Sequence, residues 1–206
     1  MRRRPLLVLG VVLALIAVTV AWRSVSYQAF PPDTTPDGAY ARVALAVAER
    51  RVRDVFPYLE TDAQWASFTI RDLRREACDR VRTSYPAAAR ASLLDAWHEE
   101  AEAADGPDVF ALMAARRGWV ARLERDLSGV VHVEVQGERA TVVTARGTRY
   151  AFRRRENGIW GMTMFTAELG AEAERAARDL DVVKAAAHDY DRARGDDGGA
   201  AHDGAP

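Results

Sequence analysis

Few side chains in this sequence have the type and spacing that catalysis requires. Residues 98–102 (HEEAE) resemble a zinc-protease helix, but that chemistry needs a second histidine four residues after the first, and the chain has Glu102 there. Cys78 could act as a nucleophile with His98 or His132 as its base. However, Cys78 adjoins the apolar stripe of a predicted helix, which favours a buried, inert thiol. We therefore expect no catalytic residue.

Metal ligands are also missing from the pattern. The histidines and aspartates from His188 to Asp203 do not match the spacing of any known metal-binding loop, and we interpret them as a solvated acidic segment. A single cysteine, Cys78, excludes a disulfide framework and a cysteine-rich zinc module. We expect no metal and no cofactor.

A run of cations, Arg153-Arg154-Arg155, precedes a predicted hairpin turn at Asn157-Gly158. The three guanidinium groups could bind an anion. Alternatively, they protect a strand edge from aggregation, which is a common use of charge at such edges.

Apolar residues alternate with polar ones on both sides of that turn, as expected for strands with one buried face. Tyr150, Phe152, Trp160 and Met162 would lie together on adjacent strands, either as the core face of a sheet or as the lining of an apolar pocket. His132 alternates with valines and so faces the other way, exposed or inside a pocket. These five residues are the ligand-binding candidates.

The second half of the chain is predicted to be a four-stranded antiparallel meander. Its strands cover about residues 131–136, 140–144, 149–153 and 160–164, and the glycines Gly137, Gly147 and Gly158 mark the turns.

Helical periodicity dominates the first half. It predicts helices from Tyr40 to Phe56, from Thr61, from Pro86 and from about Val109 to Leu127, the third burying Leu93, Leu94 and Trp97. Helices followed by a meander predict the α+β class. A helical bundle with a peripheral meander is the alternative.

A last helix is predicted from about Thr166 to Ala193. It carries a heptad seam, which is typical of a helix that follows one partner along its length: Leu169, Ala173, Ala176, Leu180, Val183, Ala187 and Tyr190. Either the chain's own elements cover this seam, or Leu169, Leu180 and Val183 bind another protein.

The strand segments resemble a known superfamily. They read Gly137-Glu138-Arg139-Ala140-Thr141-Val142, then Tyr150-Ala151-Phe152, then Glu156-Asn157-Gly158-Ile159-Trp160. This order resembles the closing strands of the nuclear-transport-factor-two-like (SnoaL-like) superfamily, over residues 40–165 at most. The resemblance implies a cone-shaped α+β domain. Its enzymatic members place an Asp, His or Tyr pair inside the cone, but no residue here matches such a motif.

The N-terminal residues predict a location at a membrane. Three arginines at positions 2–4 precede a charge-free run from Leu6 to Trp22, just long enough to span a bilayer as a helix. Because arginines stay cytoplasmic, we expect residues 1–23 to be a signal anchor and the rest to be extracytoplasmic, periplasmic in a Gram-negative bacterium. The alternative is a signal peptide that is cleaved to release a secreted protein.

The remaining boundaries follow from composition. We predict a linker over residues 24–38, a folded domain over 39–194 and a disordered tail over 195–206. A net charge of −1 shows no basic excess for nucleic acid. Two functions stay open: a non-enzymatic interaction or scaffold module tethered to the membrane, and a ligand-binding or enzymatic cone with an aromatic-lined pocket.

Overall fold

The structure is a computed structural model that describes residues 30–200, with side chains up to residue 194. The elements named below belong to a unit that begins at Pro32. Its α-helices are α1 (Pro36–Ala48), α2 (Thr61–Ser84), α3 (Ala87–Glu102), α4 (Gly106–Arg116), α5 (Trp119–Asp126) and α6 (Thr166–Ala200). A 3₁₀ helix (Val52–Tyr58) follows α1. The strands are β1 (Val130–Gln136), β2 (Arg139–Thr144), β3 (Arg149–Arg154) and β4 (Trp160–Met162).

The strands form one antiparallel sheet in the order β1-β2-β3-β4. This confirms the predicted α+β class and the four-stranded meander. The inner-face positions of β2, β3 and β4 are paired in register, Val142 with Tyr150 and Phe152 with Met162. These side chains are buried, and α1 packs against the same sheet.

The segment after the 3₁₀ helix extends the sheet beyond β4. Leu59 pairs with Met162 in the parallel direction, and the Glu60 amide donates to the Met162 carbonyl at 3.0 Å. Gly161 permits this approach, because a Cβ at that position would lie 2.6 Å from the Leu59 carbonyl oxygen. Any side chain at position 161 would push the segment away from the sheet.

The first predicted helix is shorter than its apolar periodicity suggested. It ends at Ala48, because the Arg51 amide donates to the Ala46 carbonyl and the Arg50 amide to the Val47 carbonyl. This is a Schellman cap, with Arg50 in the left-handed region at φ 57° where glycine is usual. It also starts earlier than the predicted domain boundary, at Pro36, with Thr35 as its N-cap.

Two further boundaries differ from the prediction. The expected fourth helix is interrupted at Gly118, whose φ of 66° turns the chain between α4 and α5. Strand β4 ends at Met162, so Met164 is only half-buried and Phe165 fills the core in its place. Phe165 stacks on Trp119 with ring centroids 4.6 Å apart, a contact that the strand pattern did not predict.

Helices α2 and α6 run side by side in the same direction. Thr166 contacts Glu60 at one end, and Ser84 contacts Asp191 at the other. Along the seam, Leu169, Leu180 and Val183 are buried, and Leu180 and Val183 belong to an apolar cluster with residues of α2 and α3. The chain therefore covers these three residues itself, and whether another protein also binds the helix stays a prediction.

Several predictions concern the two ends of the chain, which lie outside the described residues. The proposed membrane segment over residues 1–23, the linker up to residue 29 and the tail from residue 201 lie outside them. Helix α6 continues past the predicted end near Ala193 to Ala200. Helix α3 begins at Ala87, and its Leu93, Leu94 and Trp97 are only partly buried.

We predict that Trp160→Ala lowers the free energy of unfolding by about 3–5 kcal/mol, because a buried indole leaves a cavity. Trp160 is 5 % exposed, and its Nε1 donates to the Thr34 carbonyl at 3.0 Å. Trp65→Ala is the matched control, since Trp65 is 66 % exposed and should cost less than about 1 kcal/mol. Chemical denaturation measures both, and equal losses would show that Trp160 is not part of the core.

We predict that Leu180→Asp lowers the melting temperature sharply, because a carboxylate enters an apolar cluster without a counter-charge. Val182→Asp, on the exposed face of the same helix, should leave the melt nearly unchanged. If Leu180→Asp instead melts like the parent protein while dissociating an oligomer in light scattering, another chain covers the seam.

Candidate functional site

Four of the five ligand-binding candidates come together on the inner face of the sheet. Tyr150 and Phe152 lie on β3, and Trp160 and Met162 lie on β4. All four are at most 5 % exposed and belong to the main apolar cluster, which α1, α4 and Phe165 complete. The residues thus pack in the core, and whether they also hold a ligand stays a prediction.

The Tyr150 hydroxyl is the exception in this core. It is buried and has no hydrogen-bond partner among the described residues. The neighbouring Tyr40 ring lies 5.4 Å away between centroids. The Tyr40 hydroxyl has two hydrogen-bond partners, because it donates to the Ser128 carbonyl at 2.7 Å and accepts from the Ser128 amide at 3.0 Å. Burial raises the pKa of Tyr150 to about 12, so the phenol is neutral at physiological pH.

His132 lies apart from these four residues. It is on β1, an edge strand of the sheet, and its side chain is 60 % exposed. Its Nε2 is 3.7 Å from the Glu134 carboxylate, which also pairs with Arg149 at 2.8 Å. The imidazole therefore faces solvent, away from the aromatic cluster.

Cys78 has the environment of an inert thiol. It is fully buried in α2, and burial raises its pKa, so little thiolate forms at neutral pH. His98 of α3, the other histidine considered as its base, is exposed.

The sequence did not predict a cluster of buried charges where α2, α3 and α6 meet. Arg74 of α2 donates to Glu100 of α3 at 3.1 Å and to Asp179 of α6 at 2.6 Å. Its guanidinium also lies 4.9 Å from the Trp97 ring centroid and 3.9 Å from Glu172. Arg74, Glu100 and Glu172 are each at most 6 % exposed. We call these residues the Arg74 cluster.

More arginines neutralise the carboxylates of this cluster from its rim. Arg116 pairs with Glu100 at 2.5 Å, and Arg117 and Arg175 pair with Glu172 at 2.5 and 3.0 Å. Since every buried carboxylate has at least one cation, the cluster resembles a structural ion network more than an acid–base pair open to a substrate.

Four further polar side chains are buried within the described part of the chain and also have partners: Glu60, Ser67, Ser84 and Thr144. Glu60 bridges Arg153 at 2.7 Å and the Thr166 hydroxyl at 2.8 Å. The three hydroxyl side chains each donate a hydrogen bond, to Ala63, Asp191 and Thr148 respectively. Each of these four side chains therefore has a hydrogen-bond or ion-pair partner within the described residues.

A second feature that the sequence did not place is a cleft of about 540 Å³ between the start of α2 and the β3–β4 turn. Its lining includes Gln64, Trp65, Phe68, Arg154 and Arg155. An anion site was one of two interpretations of the arginine run, the other being protection of a strand edge. No local pattern, however, shows that residue 155 meets residue 64 across 91 positions of the chain.

The described part of the chain offers neither a metal-ligand cluster nor a membrane-spanning helix. No group of three or more His, Cys, Asp or Glu residues there could hold a metal ion. No described helix has the length and apolar character needed to cross a membrane. Comparison of the chain with protein-family models, curated proteins and solved structures gave no match.

We predict that Tyr150→Phe keeps or raises stability at neutral pH, by up to about 1–2 kcal/mol, because it removes a buried hydroxyl without a partner. Tyr40→Phe, the matched control, should lower stability by about 1–2 kcal/mol, since both bonds to Ser128 are lost.

Tyr150→Phe also tests how the stability of the protein depends on alkaline pH. The folded-state pKa of Tyr150 is raised from 10.0 to about 12, so the unfolded chain loses this proton at a lower pH than the folded chain does. As far as Tyr150 is concerned, the free energy of unfolding is therefore constant below pH 10 and falls as the pH rises towards 12. Tyr150→Phe should therefore show a smaller loss of stability over that interval in urea titrations. An unchanged alkaline profile would show that folding does not raise the pKa of Tyr150, and a large loss of stability at neutral pH would show that the hydroxyl has a stabilising partner.

Proposed function

We propose that this protein is a non-enzymatic interaction module, carried on an N-terminal membrane anchor and displayed outside the cytoplasm. One observation carries the non-enzymatic part: the charged side chains buried in the described residues, Glu60, Arg74, Glu100 and Glu172, are all committed to ion pairs. A catalytic acid or base needs a titratable group that faces a substrate, and the interior offers none of these four for that role.

The exposed apolar side chains support a binding role. Trp65, Val131 and Val182 are each 66–69 % exposed, and they lie on three different elements, α2, β1 and α6. Single exposed apolar residues occur on any protein surface, so Trp65, which lies beside the Phe68 ring and lines a cleft, is the strongest of the three candidates. The anchor itself rests on the arginines before the apolar run from Leu6 to Trp22.

A small-ligand-binding or enzymatic cone is the second candidate. It follows from the resemblance to the nuclear-transport-factor-two-like superfamily, and the unpartnered Tyr150 hydroxyl favours it, because a buried ligand could supply the missing acceptor. In that case Tyr150, Phe152, Trp160 and Met162 would contact the ligand, and His132 would take no part unless β1 moved.

Site-specific photo-crosslinking in the source organism separates the two candidates. A photoreactive amino acid replaces Trp65, Val131 or Val182 in turn; their similar exposure makes each position a control for the others. An interaction module should give a discrete adduct with one protein, identified by mass spectrometry, at one of the three positions. The absence of adducts at all three, with a small molecule that co-purifies in native mass spectrometry and is lost in Tyr150→Phe, would support the second candidate instead.

The membrane topology has its own test. A reporter that is active only in the cytoplasm, fused after Ala193, should stay silent, because the arginines hold the N-terminus inside and place the domain outside. The same reporter placed directly after Arg4 is the positive control. Strong activity of the Ala193 fusion would overturn the proposed location.

A further inference from the structure

The cleft between α2 and the β3–β4 turn contains a cation whose position is fixed. Arg155 Nη1 donates to the Pro57 carbonyl at 2.8 Å, and Nη2 donates to Gln64 Oε1 at 3.0 Å. Gln64 is itself held, because its amide nitrogen donates to the carbonyls of Phe56 and Leu59. The Arg155 guanidinium is therefore oriented before any ligand arrives.

No ion pair links this cation to a carboxylate among the described residues. Its two bonds are to neutral acceptors, and its Nε is buried without a hydrogen-bond partner. Burial accordingly lowers the pKa of Arg155. The contrast is with Arg74, Arg116 and Arg117, each of which pairs with a carboxylate. An anion in the cleft would compensate a charge that the fold leaves uncompensated.

A second cation and an aromatic surface line the same cleft. Arg154 is 49 % exposed, and its nearest carboxylate, Glu138, is 4.0 Å away. The Trp65 ring is 66 % exposed and lies 6.4 Å from the Phe68 ring, between centroids. The only acidic residue among the principal lining residues is Glu156.

We propose that this cleft binds an acidic peptide segment of a protein partner, with a carboxylate at Arg154 and Arg155 and an aromatic side chain on Trp65. The volume of about 540 Å³ accommodates a few side chains. A free inorganic anion would satisfy the arginines but would leave the indole in water. A peptide that combines both groups fits the charge and the apolar surface together. The inference rests on the proposed function as an interaction module.

Calorimetric titration of the full chain in a neutral detergent tests the proposal. The probe is a capped peptide that alternates aspartate with phenylalanine, and the control peptide has asparagine in place of each aspartate. We expect saturable binding of the first peptide, weaker binding of the second, and a loss of affinity as NaCl rises from about 50 to about 300 mM.

Variants locate the binding in the cleft. Trp65→Ala, Arg154→Gln and Arg155→Gln should each weaken binding about tenfold. Arg149→Gln removes the same charge from β3, the strand that also carries Arg154, at a residue that pairs with Glu134; this variant should bind like the parent. Because Arg155 also anchors Gln64, its variant could lose structure; the exposed Trp65 and Arg154 keep the test valid in that case.

Three results would overturn the proposal: equal binding of both peptides, no effect of Trp65→Ala and Arg154→Gln, or competition by inorganic phosphate that removes the peptide at equal concentration. A failed titration together with a photo-adduct at Val131 or Val182 would refute the cleft and leave the proposed function standing. No adduct at any position, with no peptide binding, would count against both.

Discussion

The Arg74 cluster is the constraint on which the helical half of this protein depends. Arg74 is 3 % exposed and lies along α2 between Ile70 of the sheet core and Ala77 of the α2–α3–α6 cluster. A charge in that position requires carboxylates from α3 and α6 at hydrogen-bonding distance, and Glu100 and Asp179 supply them. The positions of α3 and α6 along α2 are thereby coupled to one side chain.

Most helices and strands could be predicted from the sequence, because short stretches of neighbouring residues determine them. Alternating apolar residues and the turn at Asn157-Gly158 identified the meander, and the heptad seam identified α6 as a helix that follows one partner, which is α2. The errors arose where a local signal was absent or hidden. Arg50 adopts a glycine-like conformation without being glycine, so the end of α1 carried no mark. Gly118 was a single residue within a continuous apolar stripe.

The candidate site was less accessible to sequence reasoning. Alternation correctly grouped Tyr150, Phe152, Trp160 and Met162, but alternation alone cannot distinguish a packed core from a pocket. Arg74 lies in a stretch rich in charge, where a buried cation looks like any solvated one. The pairing of Arg155 with Gln64 spans 91 residues and depends on how the 3₁₀ helix and Gly161 bring α2 against the sheet. Such contacts belong to the tertiary structure and have no signature in a window of sequence.

The buried charges of the Arg74 cluster are expected to stabilise the fold through their mutual ion pairs. A double-mutant cycle on Arg74→Met and Glu100→Gln, followed by urea unfolding of the full chain, tests this expectation most directly. Arg74→Met should lower the free energy of unfolding by about 3–5 kcal/mol, because Glu100 and Glu172 lose a buried partner. Adding Glu100→Gln should cost less than it does alone, with a coupling of at least about 1 kcal/mol. Additive effects below about 1 kcal/mol each would show that the Arg74 cluster does not stabilise the fold.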